Sequence, residues 1–145
     1  MDTRIAMDAS LAAYHHHHQT LLRLASLYES RLNPALVQKY PDLCLSEAQR
    51  LVSETKAHFA MESAVLYPAL LGGRDEGIRA AAQALEAGLT ELTMRLGRYG
   101  HHWTSAETIR RAPEAFVDTS LELLQALRKR IEEETTRLFP LVERA

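Results

Sequence analysis

Four times along the chain, apolar side chains recur at alternating steps of three and four residues, the spacing that puts them on one face of an α-helix. The first stripe is Leu11, Tyr14, His18, Leu21, Ala25, Tyr28 and Leu32, on a helix expected from about Ala9 to Leu32 and closed by Asn33-Pro34. The second is Leu51, Thr55, His58, Glu62, Val65 and Ala69, opened by Ser46 with Gln49 as its capping-box partner and ended by Gly72-Gly73. The third runs through Ile78, Ala82, Leu85, Leu89, Leu92, Leu96 and Tyr99 and stops near Gly100. The fourth, led by Pro113, is Phe116, Ser120, Leu123, Leu127, Arg130, Glu134, Leu138 and Leu141. Connectors with Pro34 and Pro41, and from His101 to Ala112, separate the helices within each half. No segment alternates apolar and polar residues in the manner of a strand. The pattern predicts an all-α fold, an up-down-up-down four-helix bundle, with residues 1–145 forming one domain.

Composition removes several function classes. Seventeen basic against nineteen acidic side chains give a net charge of -2, which offers no electrostatic footprint for nucleic acid or an anionic membrane. No run of about eighteen apolar residues exists to span a bilayer. The stretch Met1 to Ser10 is short and charged, unlike a secretory signal. The single cysteine, Cys44, rules out a disulfide framework and a cysteine-based zinc site, and in a connector it is expected to be inert. A cytoplasmic protein is the default expectation. No phosphate loop, nucleotide fingerprint or nucleophile-base pair is present, so catalysis is not expected.

Three of the four stripes are interrupted by ionisable residues: His18; His58 with Glu62; Arg130 with Glu134. Buried without partners, such groups cost several kcal/mol each, so they should meet one another or a metal. His58 and Glu62 are four apart on one helix face and can reach a common point. Imidazole with carboxylate is a donor set suited to iron, manganese or zinc. The fourth helix echoes the second. His58-Phe-Ala-Met-Glu62-Ser-Ala-Val-Leu66-Tyr67-Pro68 and Arg130-Ile-Glu-Glu-Glu134-Thr-Thr-Arg-Leu138-Phe139-Pro140 share the Glu and the Leu-aromatic-Pro at matching places. The repeat suggests two helix hairpins related by an approximate twofold axis, with the two Glu residues facing each other.

On these motifs the sequence resembles the hemerythrin-like HHE cation-binding family over most of its length. The resemblance implies a four-helix bundle holding non-haem iron between His ligands and two bridging carboxylates. It places His18, three before Leu21, at the ligand position of helix one, and His58 with Glu62 at those of helix two. In the second half Arg130 stands where a His is expected, and Glu86 is the best match to the His of helix three. A guanidinium does not deprotonate at working pH and cannot be a ligand.

The expected centre is therefore reduced. Arg130 takes the volume of one iron and pairs with Glu86, Glu134 and Glu62, forming a structural charge network. His18, His58, Glu62 and Glu134 remain for one metal, with His15 as a substitute ligand if helix one rotates slightly. His16 and His17 are expected to be solvated. One non-haem iron per chain is favoured over two, with zinc or manganese as other ions. The implied function is binding for iron or oxygen handling or sensing, with O2 or a small oxidant as the partner molecule. The competing expectation is a metal-free helical regulatory or interaction module in which the Arg130–Glu86–Glu134 network replaces the centre. Tyr67 can also donate a hydrogen bond into the site.

Overall fold

The computed structural model describes the backbone of residues 3–145 and the side chains of residues 11–145. The reading of Met1 to Ser10 as unlike a signal falls on residues whose side chains lie outside that description. All regular structure among the described residues is helical. Helix α1 spans Thr3–Glu29, followed by the short α2, Pro34–Lys39. Helix α3, Pro41–Met61, passes through a wide π turn, Glu62–Leu66, into α4, Tyr67–Leu71. Helix α5 is Glu76–His102 and the short α6 is Ala106–Arg111. Helix α7, Pro113–Glu133, passes through a second π turn, Glu134–Leu138, into α8, Phe139–Arg144. No described helix is long and apolar enough to cross a membrane.

The long helices meet in register. Along α1 and α3, Tyr14 donates to the Met61 carbonyl at 3.2 Å and His17 lies beside His58. Along α1 and α7, His18 meets Glu134 while Tyr28 meets Ser120. Along α5 and α7, Arg130 reaches the Leu85 carbonyl, and Tyr99 reaches Ser120. All seven residues of the third stripe are buried, and α5 starts where Asp75 Oδ1 accepts the Ile78 N–H at 3.0 Å. One end of the core is closed by the Tyr28, Tyr99 and Ser120 hydroxyls, which satisfy one another.

Two expectations about helix ends are corrected. Asn33 caps α2, accepting from the Ala35 and Leu36 N–H groups, and α1 stops at Glu29. Helix α3 begins at Pro41, whose fixed φ and missing N–H suit a first turn, so Ser46 and Gln49 lie inside the helix and cap nothing. Cys44 is accordingly a buried residue of that first turn.

The largest correction concerns the π turns. The 3-4 spacing places Val65 in the core after Glu62, yet Val65 is 57% exposed and Leu66, Tyr67 and Leu70 are buried instead. In the fourth stripe Phe139 and Val142 are buried, and Leu141 is only half-buried. A π turn holds one extra residue, so everything beyond it shifts by one position around the axis. Pro68 and Pro140 supply the reason. A helical proline lacks its N–H and collides with the carbonyl four residues earlier. The chain widens ahead of each, and the Tyr67 and Phe139 N–H groups donate five residues back, to Glu62 and Glu134.

Burial pushes the Cys44 thiol above its ordinary pKa, outweighing the opposing pull of Arg31. We expect alkylation of Cys44 at pH 8 to run roughly tenfold or more slower in the native protein than in denaturant, measured by thiol-reagent absorbance. Equal rates would contradict its placement in the core.

Candidate metal centre

Each π turn begins at a glutamate, and both glutamates are fully buried: Glu62 directly after α3 and Glu134 directly after α7. His58, one turn before Glu62, and His18, from the middle of α1, are buried beside them. His18 Nε2 lies 3.0 Å from Glu134 Oε1, and His58 Nε2 lies 3.3 Å from Glu62 Oε1. One donor atom from each of His18, His58, Glu62 and Glu134 falls within 4.8 Å of all the others. Small side-chain adjustments can bring such a set around one ion.

The two halves of this cluster are satisfied to very different extents. Glu134 is fully engaged: Tyr67 donates to its Oε2 at 2.8 Å, Arg130 donates to the same oxygen at 3.1 Å, and His18 holds Oε1. Arg130 also donates to the Tyr67 hydroxyl and the Leu85 carbonyl, and its guanidinium lies 5.4 Å from the centre of the Tyr67 ring. Glu62 and His58 face each other without hydrogen-bond alignment. His58 Nε2 and both Glu62 oxygens are buried with no partner. Leaving three such atoms unpaired costs on the order of 1–3 kcal/mol each, and native proteins rarely do so.

The protonation states follow. Burial pushes the Glu62 carboxyl well above the usual range, and the neighbouring Glu134 pushes it further. Burial also opposes ionisation of Glu134, but the His18 hydrogen bond and the Arg130 charge hold its carboxyl below the usual range. Burial, with His18 as the next contributor, lowers His58 to about 3, so its ring stays neutral. A neutral imidazole is the form that binds a metal. The atoms without partners are thus one imidazole nitrogen and the two oxygens of one carboxyl group; with His18 and Glu134 beside them, the residues present fit a single divalent ion.

Several residues sit elsewhere than the sequence pattern implies. Glu86 is exposed on α5 and takes no part in the network. It directly follows Leu85 in the buried stripe, and one step along a helix turns a side chain about 100° away. The Leu85 backbone carbonyl meets Arg130 in its place. His15 is also outside the cluster: it is half-exposed and bonded to Glu143 of α8 at 2.8 Å. Arg130 pairs with Glu134 and leaves Glu62 unbonded. His17, expected in solvent, instead lies with its Nδ1 3.4 Å from His58 Nδ1. Phe139 packs in the core, stacked on His18 with ring centres 5.3 Å apart.

A profile of the hemerythrin HHE cation binding domain matches residues 9–142. The chain belongs to the hemerythrin family of HHE cation-binding domains. Among curated proteins and solved structures, none matches it. In this HHE domain the buried His/Glu group is compatible with metal binding. A surface cleft of about 460 Å³ lies at the other end of α3, lined by Val52, Tyr99, Gly100 and Trp103, away from these ligands. A cleft of about 140 Å³ between α1 and α3 touches the cluster at His58, a space that suits an ion or a very small molecule.

The unequal satisfaction of the two halves predicts opposite stability effects in metal-free protein. Arg130→Met strands an ionised Glu134 and should lower the unfolding free energy by about 3 kcal/mol. Glu62→Gln removes a carboxylate that has no partner and should leave stability unchanged or raised. Urea unfolding of chelator-treated protein separates them, and equal losses would contradict the assignment.

Proposed function

We propose that this HHE domain binds one non-haem iron per chain through His18, His58, Glu62 and Glu134, and serves iron or oxygen handling or sensing by binding rather than turnover. The observation that carries the reading is the trio of buried, unpartnered lone pairs on His58 and Glu62, directed toward His18 and Glu134. Zinc and manganese suit the same donors, and the family match raises the weight of iron. We read the scaffold as an up-down-up-down four-helix bundle. Support comes from antiparallel contacts of α1: Tyr14, in its first half, meets Met61 at the end of α3, and Tyr28, near its end, meets Ser120 in the first half of α7.

When bound, iron supplies a redox-active Lewis acid; the chain's residues supply everything else. His18 is held flat by Phe139 and anchored through Thr135, whose Oγ1 lies 3.3 Å from His18 Nδ1. Glu134 is oriented by Tyr67 and Arg130 before any ion arrives, which reduces the reorganisation that binding requires. Arg130 places a permanent positive charge on the α5 side of Glu134, where a second cation would otherwise sit. That charge limits the centre to one ion.

A second reading has its own observation. Arg130, Tyr67, Glu134 and His18 form a closed hydrogen-bonded chain without any metal, as a metal-free regulatory or interaction module would require.

Elemental analysis decides between them. Protein made without a polyhistidine tag in iron-rich medium should carry about one metal per chain, and His58→Ala should reduce it to about 0.1 or less. A wild-type value below about 0.2 would overturn the proposal in favour of the metal-free module. A value near two would overturn the role given to Arg130.

A further inference from the structure

His18 and His58 both turn Nε2 inward, toward the carboxylates, and both turn Nδ1 outward to a partner on the neighbouring helix. For His18 that partner is the Thr135 hydroxyl. For His58 it is a second imidazole, that of His17, with the rings nearly perpendicular and their centres 5.5 Å apart. His17 is only partly buried and lines the small cleft between α1 and α3 together with Thr20, Glu54 and Met61.

For the two facing nitrogens to hydrogen-bond, one must carry the proton and the other accept it. If His17 donated, His58 would hold its own proton on Nε2 and present an N–H, not a lone pair, to the cluster. If His58 donates from Nδ1, its Nε2 is free to ligate, and His17 keeps its proton on the nitrogen that faces away. Ligating histidines depend on such an outer partner to fix the tautomer and ring orientation. Resting on the proposed metal-binding reading, we infer that His17 is a positioning residue: it accepts the His58 Nδ1–H and so fixes the tautomer in which His58 offers Nε2 to the ion. His17 touches no ion itself. The four-histidine run is thereby divided in function, with His18 in the cluster, His17 behind His58, His15 on Glu143 and His16 exposed.

Two near-isosteric substitutions test this. Asn places Oδ1 the same number of bonds from Cα as His Nδ1, so His17→Asn keeps an acceptor, whereas His17→Leu has none. Long-range ¹⁵N–¹H spectra of metal-free protein should show His58 protonated on Nδ1 in wild type and His17→Asn. In His17→Leu the proton should move to Nε2. The dissociation constant for Fe(II) or Zn(II), measured against a competing chelator, should rise roughly tenfold or more in His17→Leu and stay within about threefold in His17→Asn. An unchanged His58 tautomer in His17→Leu would overturn the inference, as would equal weakening in both variants. If wild-type protein binds neither ion, the proposed function fails, and the role of His17 then stands or falls on the tautomer comparison.

Discussion

Two imidazoles, two carboxylates and a guanidinium are buried in the middle of an otherwise apolar stack, and no helix bundle does this without compensation. Arg130 compensates one of the carboxylates. It neutralises Glu134 and shares the Tyr67 hydroxyl with it through Nη2, donates to the Leu85 carbonyl through Nη1, and leaves only Nε without a partner. Glu62 receives no such help. Its oxygens and the facing His58 Nε2 are left with lone pairs and no donor, a debt that a cation between them would settle. The asymmetry between these two glutamates, rather than the number of histidines, is what the proposal of one ion rests on.

That asymmetry is built on a symmetric frame. The two halves share a Glu at the head of a π turn, a Leu-aromatic-Pro after it, and burial of both the Leu and the aromatic ring. The prolines force the wide turns, and the wide turns bring the aromatic residue round to the core. There the halves part company. Phe139 has only a face to offer and stacks on His18, while Tyr67 adds a hydroxyl that connects Arg130 to Glu134. A phenylalanine at position 67 would remove the donor to Glu134 and the acceptor of Arg130 together. The Arg130 substitution and the Tyr67 hydroxyl therefore form one unit of structure.

Much of this was legible from residue spacing, because helical periodicity reports which face is buried whatever the partner. The third stripe is buried at every position, and the Glu-to-Glu echo locates the two residues that meet at mid-core. Three features escaped for physical reasons. The 3.6-residue period fails across a π turn, so Val65 was placed inside and Tyr67 reached the core by a shift that spacing does not encode. The prolines at 68 and 140, two places beyond a buried Leu in each repeat, were the available sign of it. Glu86 was misplaced because a backbone carbonyl, which no side-chain pattern reveals, satisfies Arg130. His17 was assigned to solvent from its angle on α1, yet a ring at the edge of a helix-helix seam can reach across it.

The most direct measurement of the central claim is an anomalous-scattering map from crystals of metal-loaded protein, recorded on either side of the iron edge. One peak per chain is predicted, in coordination contact with His18 Nε2, His58 Nε2 and both glutamates, with the Arg130 guanidinium still bonded to Glu134. Two peaks, or a single peak at His15 and Glu143 with the buried cluster empty, would contradict the account.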